Sequence, residues 1–264
     1  MREPVEPDKV SGLGLATGLF TLIPSRPVST IDRDAGRRAI MWFPWLGLLI
    51  GLVGGVAAWA VTMRGGPLLG ALIGLGLIEL ITGFMHLDGI ADTADGLGAS
   101  AKPANDAMEI MKKPDVGAMG VAAIVFVLAL QVAGAASVVN PLAVGIVVAL
   151  SPMIGRTTTV LATGTWVPNA RPGGFGALFS GTITPVAALV TVVIALAITG
   201  GAGWWLAGVR GATSLVGGML VALLGAHSWQ RALVKKFGGL MGDMMGALIE
   251  AGVAIFAVSA AIAL

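Results

Sequence analysis

The sequence predicts an all-α, polytopic integral membrane protein that forms a single domain, residues 1–264, with about seven transmembrane helices. Three observations predict this fold. Apolar residues make up 56% of the chain and charged residues only 11%, whereas soluble globular proteins carry about 25% charged residues. Seven stretches are apolar and long enough to cross a bilayer. Glycine, which lets membrane helices pack closely, occurs 40 times. Together with a mean hydropathy of +0.91, these observations argue against a soluble enzyme, a disordered chain and a nucleic-acid-binding domain.

The chain is expected to begin with a cytoplasmic or interfacial segment, residues 1–39, without a cleavable signal peptide. Within this segment the apolar stretch 10–23 is shorter than the roughly 20 residues that cross a bilayer, and it is followed by Pro24. Its length suits an interfacial or re-entrant helix better than a span. The sequence does not decide between these placements.

Positive charge orients the seven predicted spans, which cover residues 40–62, 67–87, 117–139, 141–163, 181–200, 212–229 and 243–263. If the N-terminus is inside, 14 of the 16 lysines and arginines lie on the inner side, and only Arg64 and Arg210 lie outside. Cytoplasmic segments carry an excess of these residues, so we expect the N-terminus in the cytoplasm. The polar connection 88–116 is then a cytoplasmic, aspartate-rich loop.

Three aspartates begin that connection. Asp88, Asp92 and Asp95 are spaced so that a helix would place all three carboxylates on one face. Like charges repel one another there unless a cation lies among them, and Mg²⁺ is commonly held by one or two carboxylates plus substrate phosphates. The alternative is a solvated acidic helix face. Because the chain has so few charges, their concentration here favours metal ligands.

Polar residues also enter the membrane from this side. His86 is a candidate proton acceptor, a partner of the metal ligands or an interfacial polar residue, and one sequence does not choose among these roles. Glu79 lies seven residues earlier, about two turns deeper on the same helix face if the helix is continuous. Carboxylates inside a membrane are costly and mark functional sites. Glu79 is therefore a second candidate proton acceptor.

The last predicted span opens with a glycine-rich turn. Gly239 and Gly242 precede a helix start, where free N–H groups can bind an anion. Asp243 is either a further metal ligand or a helix N-cap. Glu250 lies seven residues beyond it, inside the membrane. We infer one cavity, open to the cytoplasm and lined by the second and seventh spans.

Two basic residues are candidate phosphate ligands. Arg156 lies within the fourth predicted span, where an arginine should face the bundle and pair with a phosphate or carboxylate. Lys112 precedes the third span, and anchoring to the cytoplasmic side is the stronger interpretation for it. Acids, basic groups and a glycine turn around a membrane cavity together suggest Mg²⁺-assisted phosphoryl transfer.

Four motifs carry a resemblance to a known family. Residues 82–97 read TGFMHLDGIADTADGL, and this run closely resembles the signature of the cobalamin synthases, the adenosylcobinamide-GDP ribazoletransferases. Supporting segments are RAIMWFPWLGLLIG at 38–51, EIMKKPDVG at 109–117 and GGLMGDMMGA at 238–247. The resemblance covers most of the chain. Met241 departs from the threonine that is usual in the family, and 113–115 departs from a usual Asp-Ser-Arg.

The resemblance implies a reaction. The 5′-hydroxyl of α-ribazole, or α-ribazole 5′-phosphate, attacks the cobinamide-side phosphate of adenosylcobinamide-GDP, so that GMP leaves and adenosylcobalamin or its phosphate forms. It also implies Mg²⁺ dependence and a place in the bacterial cytoplasmic membrane. We expect corrinoid-nucleotide and α-ribazole substrates, contact with the lipid bilayer and no nucleic-acid partner. A homo-oligomer is left open.

Two other functions fit part of the pattern. A CDP-alcohol phosphotransferase also combines membrane carboxylates with Mg²⁺, but its usual signature has an arginine that is absent from 88–92 here. An ion-coupled transporter could use Glu79 and Glu250 as a proton relay. Transporters often show inverted repeats, and no convincing repeat is found in this sequence.

Overall fold

The computed structural model of the protein describes residues 4–99, 103–171 and 173–264. Arg2 and Lys102, two of the charges counted on the inner side, lie outside the described residues. Within these ranges the structure contains helices and isolated bridges but no β-strand. The helices are α1 (Gly12–Phe20), α2 (Arg33–Thr82), α3 (Met85–Gly98), α4 (Ala104–Ile110), α5 (Ala118–Ala136), α6 (Pro141–Ala162), α7 (Pro185–Phe237) and α8 (Gly242–Ala263).

The longest two helices are hairpins of two arms each. In α2, Gly66 has φ 83° and ψ 166°, a backbone conformation that suits glycine, and the chain reverses there. The arms then pack through small residues, with Gly74 against the backbone of Gly54. Helix α7 reverses in the same way at Ala207 and Gly208, and Gly203 then packs against Gly211.

These reversals let the apolar helices alternate in direction. Each of the seven predicted spans coincides with a helix or a helical arm. The expected membrane helical bundle is therefore confirmed, while the number of crossings and their orientation stay predictions. We call the end of the bundle where α8 begins the site end. The reversals in α2 and α7, with Arg64 and Arg210 beside them, lie at the far end.

Helix α6 is the centre of the bundle. Every residue from 143 to 160 is buried, and α2, α7 and α8 pack around it. The peripheral helix α5 presents apolar side chains outward instead, with Phe126 67% exposed. An apolar outer surface around a buried central helix is what a lipid environment requires, because lipid is a good solvent for such side chains.

The second predicted span is shorter than expected. Its helix ends at Thr82, and Gly83 and Phe84 both have positive φ angles, 65° and 59°. The chain bends by 88° and continues as α3. The prediction that this span continues to residue 87 was therefore wrong. So was the description of 88–116 as a loop, because α3 and α4 lie within it.

The stretch 10–23 forms the short helix α1. Its nine residues extend about 14 Å, which is too short to cross a bilayer. Ser11 caps the helix, and Leu15, Ala16 and Phe20 are buried against the start of α2. Arg38 of α2 holds the preceding segment by donating hydrogen bonds to the carbonyls of Pro7 and Val10.

Candidate active site

A cavity of about 220 Å³ lies at the site end. Its walls come from α1, α2, α3, α6, α8 and the connection between α6 and α7. Residues of the expected second and seventh predicted spans line it, and the other segments add to these. Of the predicted site residues, those lining it are His86, Asp88, Gly242 and Asp243.

Two aspartates from different helices meet at the cavity. Asp88 is exposed near the start of α3, and Asp243 is half-buried in the first turn of α8. Close packing of Gly89 brings them together, because a Cβ added at Gly89 would collide with the carbonyl of Asp243 and lie 3.2 Å from the nitrogen of Ala247. The absence of a side chain at Gly89 thus sets the spacing of the two carboxylates.

Asp92 follows one turn later on α3, outside the five helices that are long and apolar enough to cross a membrane. Burial and neighbouring negative charge raise the pKa of its carboxyl to about 7. The contributing carboxylates are Asp88, Asp243 and Asp95. Concentrated negative charge of this kind favours either a bound proton or a bound cation.

Asp95 has backbone partners. Its two oxygens accept hydrogen bonds from the N–H groups of Gly117, at 2.6 Å, and Gly120, at 2.8 Å. These are unpaired donors at the start of α5. The carboxylate therefore caps this helix and ties α3 to α5. Its assignment as a metal ligand stays a prediction.

The donor set fits a divalent cation only in part. Asp88, Asp92 and Asp243 offer hard oxygen ligands, which Mg²⁺ prefers. Across the described ranges, however, no three histidine, aspartate or glutamate side chains converge on one point. The residues therefore fit an ion held by one or two carboxylates and completed by substrate phosphates, as is common for Mg²⁺.

A buried polar cluster lies beneath the cavity. Glu79, His86, Arg156 and Glu250 are at most 7% exposed. Glu250 accepts a hydrogen bond from Gln131 Nε2 at 2.7 Å. Its other oxygen, Oε1, lies 3.8 Å from His86 Nδ1. The cluster therefore joins α2, α3, α5, α6 and α8 behind the wall that His86 contributes.

The bend at Gly83 changes the expected relation between Glu79 and His86. The two residues lie on different helices, so the prediction of one shared helix face was wrong. Asp243 and Glu250 do share α8, as expected. Of the two candidate proton acceptors, His86 lines the cavity and Glu79 does not.

Arg156 also lies behind the cavity. It is 1% exposed and interacts electrostatically with Glu250 and Glu79. Its Nη1 donates to the carbonyl of Pro152 at 3.2 Å, and its guanidinium lies 5.1 Å from the ring centroid of Phe43. Among the described residues, no carboxylate oxygen lies within 4 Å of the guanidinium, and its Nε and Nη2 have no hydrogen-bond partner. The phosphate and carboxylate pairings therefore both stay predictions. Lys112 is exposed just after α4 and does not line the cavity.

The glycine turn before α8 holds the loop that closes the cavity. Leu240 N donates to Pro168 O at 3.0 Å, and Ala170 N donates to Leu240 O at 3.1 Å. Gly239 lies so close to this strand-like pair that an added Cβ would meet the backbone of Asn169. Gly239 therefore serves close packing, while Gly242 lines the cavity.

Sequence reasoning missed most of the cavity wall. Arg171 was counted only among the inner charges, yet it lines the cavity and interacts electrostatically with Asp243. Asn169 and Thr159 also line it. The motif Arg171-Pro-Gly-Gly in an otherwise apolar chain was the available signal. An aromatic wall was missed as well; its members are Phe20, Phe43, Phe175 and Phe179.

Comparisons with known proteins find similarity over nearly the whole chain. The family model described as Cobalamin-5-phosphate synthase matches residues 12–261. The chain is 33% identical over 243 residues to the adenosylcobinamide-GDP ribazoletransferase of Frankia casuarinae, covering 88% of this chain and 87% of that relative. It is 33% identical to the protein of the same name from Brevibacillus brevis, over 91% and 93% of the two chains. It is 35% identical to that from a Nocardioides species, over 90% and 93%. No solved structure matches the chain.

Proposed function

Because the chain belongs to the Cobalamin-5-phosphate synthase family and is a transferase of cobalamin synthesis, we propose that it performs one particular Mg²⁺-dependent reaction. A ribose hydroxyl of α-ribazole, or of α-ribazole 5′-phosphate, attacks the cobinamide-side phosphate of adenosylcobinamide-GDP. The 5′ oxygen of α-ribazole 5′-phosphate is already esterified, so the hydroxyl that both acceptors can use is another ribose hydroxyl and not the expected 5′-hydroxyl. A new phosphate ester bond forms, the bond between the two phosphates of the donor breaks, and GMP leaves.

The meeting of Asp88 and Asp243 at the cavity, with Asp92 beside them, is the observation that carries this proposal. Transfer between two phosphate esters requires compensation of the negative charge on the pyrophosphate. One or two of the carboxylates of Asp88, Asp92 and Asp243 would hold Mg²⁺ together with the substrate phosphates, and this cation would supply that compensation when bound. Arg171, at the same cavity, adds a guanidinium that can pair with a phosphate.

The other residues orient the acceptor. His86 is the proposed acceptor of the hydroxyl proton, because it lies in the cavity wall whereas Glu79 lies behind it. Glu250, held by Gln131, lies beside His86 Nδ1 and positions the ring.

We further propose that the site end faces the cytoplasm of a bacterial cell. The charged residues that the structure describes support this orientation. Lysines and arginines gather at the site end, and Arg64 and Arg210 mark the far end. Cytoplasmic segments carry such an excess, and cytoplasmic nucleotide substrates would then reach the cavity directly.

Reconstitution with defined substrates tests the reaction. Purified protein in detergent receives adenosylcobinamide-GDP, α-ribazole and Mg²⁺, and chromatography follows GMP and the corrinoid product. We expect both products in equal amounts, with α-ribazole 5′-phosphate as a second acceptor, and loss of both on chelation. A CDP-alcohol with a lipid acceptor serves as the comparison donor. Turnover of that pair alone would refute the proposal.

A further inference from the structure

Four phenylalanines from separate segments converge on one side of the cavity. Phe20 belongs to α1, Phe43 to α2, and Phe175 and Phe179 to the connection between α6 and α7. The ring centroids of Phe20 and Phe43 are 4.3 Å apart, and those of Phe175 and Phe179 are 4.9 Å apart. Phe20 also lies 5.5 Å from Phe179. These four rings form one continuous aromatic wall.

The size of the cavity limits what it can hold. Its volume of about 220 Å³ is below the roughly 300–1,000 Å³ of pockets that enclose drug-sized ligands. A corrinoid ring with its side chains is larger than such ligands, so the donor must stay largely outside. A single nucleoside is the class of substrate fragment that this volume suits.

Apart from His86, Asp88, Arg171 and Asp243, to which the proposed reaction already gives roles, few polar side chains of the cavity lining are available to a base. The amide of Asn169 is already used locally, since its Nδ2 donates to the carbonyl of Arg171 and its Oδ1 accepts from the nitrogen of Arg171. Thr159 is 3% exposed, and its hydroxyl has no hydrogen-bond partner among the described residues. Guanine, with donors and acceptors along its edge, needs several partners to be bound out of water. An apolar wall instead suits an aromatic base that is recognised mainly by stacking.

We propose that this cavity is the binding site of the acceptor nucleoside, with its aromatic base against the phenylalanine wall and its ribose directed toward Asp88 and Asp243. The inference rests on the proposed function for the identity of the acceptor. It adds a base subsite in which Phe175, 48% exposed, forms the outer wall. The guanine of the donor lies outside this subsite.

Equilibrium dialysis of labelled α-ribazole against detergent-solubilised protein tests the subsite without turnover. Phe175→Ala removes the exposed ring, and stacking of one base is worth about tenfold or more in affinity. We expect the Kd for α-ribazole to rise about tenfold, and Phe175→Trp to restore it. Phe126→Ala is the matched control, because it removes an exposed ring on α5 that does not line the cavity. Its Kd should equal that of the unmodified protein.

Competition identifies the occupant. GMP should leave α-ribazole binding to the unmodified protein unchanged. Equal Kd values for Phe175→Ala and Phe126→Ala, displacement of α-ribazole by GMP, or no α-ribazole binding by folded protein would each overturn the inference. The turnover assay keeps the two proposals apart. If the protein releases GMP but Phe175→Ala leaves the Kd for α-ribazole unchanged, the proposed function stands and the subsite is refuted. If Phe175→Ala weakens α-ribazole binding but the unmodified protein shows no turnover, the subsite stands and the reaction is refuted.

Discussion

Substitution of Gly89 by alanine should inactivate the site while leaving the helix intact. A Cβ at this position would collide with the carbonyl oxygen of Asp243, and it would lie 3.2 Å from the Cα of Gly246. Carbon atoms pack at about 3.5–4.0 Å, so α3 must move from α8 by about 1 Å. Misplacement by about 1 Å in an active site can cost about 10²-fold in rate. We expect kcat for GMP release to fall about 10²-fold.

Gly76→Ala is the matched control for this prediction. Gly76 lies in the second arm of α2, and an added Cβ meets nothing within 4 Å. Alanine is favoured over glycine inside a helix by about 0.5–1 kcal/mol, so both variants gain helix propensity and differ only in the clash. Gly76→Ala should retain its kcat and elute normally in size-exclusion chromatography. A folded Gly89→Ala protein with unchanged kcat would refute the idea that close packing of α3 on α8 sets the carboxylates.

Three further predictions follow from the carboxylates and from Arg156. The pKa of Asp92 is raised to about 7, so a proton competes with the cation below that pH. The apparent Mg²⁺ affinity in the turnover assay should weaken as the pH falls through about 7. Asp92→Asn should remove this pH dependence of the Mg²⁺ affinity together with most of the activity. An affinity that does not change with pH in the unmodified protein would contradict the prediction. Asp95→Asn leaves one backbone N–H without its acceptor and should cost about 1 kcal/mol of stability, seen as a lower midpoint of thermal unfolding in detergent; a weaker Mg²⁺ affinity instead would favour a ligand role. Arg156→Ala leaves Glu79 and Glu250 buried without the nearby guanidinium. The variant should lose about 0.5–3 kcal/mol of stability, seen as a lower midpoint of thermal unfolding in detergent, and adding Glu250→Gln should recover part of it. An unchanged midpoint in the single variant would show that the guanidinium is dispensable for stability.

The buried cluster explains why charged residues persist deep in an apolar bundle. Unpaired charges in lipid are costly, and here Gln131 donates a hydrogen bond to Glu250 while the Arg156 guanidinium interacts electrostatically with both carboxylates. Because the members come from five helices, the cluster also ties those helices together behind the cavity wall. Its position next to His86 links this structural role to the proposed chemistry.

Much of this protein was determined by the amino-acid sequence alone. Apolar stretches of bilayer length predicted the membrane bundle, because lipid forces backbone hydrogen bonds to be satisfied within helices. The spacing of Asp88, Asp92 and Asp95 indicated that they would share one face if the segment were helical, and the structure supplies that helix in α3, where a loop was expected. The motifs around 82–97 and 238–247 also indicated the family, which the comparisons confirm.

Only the tertiary structure decided which polar residues share a cavity. The positive φ angles of Gly83 and Phe84 redirect α3, so Glu79 and His86 lie on different helices although their spacing suggested one helix face. Arg171 and the four phenylalanines reach the cavity from segments far apart in the chain, and no local pattern records such a meeting. Asp95 accepts hydrogen bonds from two N–H groups at the start of α5, and the spacing along α3 does not show that these otherwise unpaired donors lie within its reach. Periodicity encodes which face of a helix a residue occupies, but long-range packing selects what that face meets.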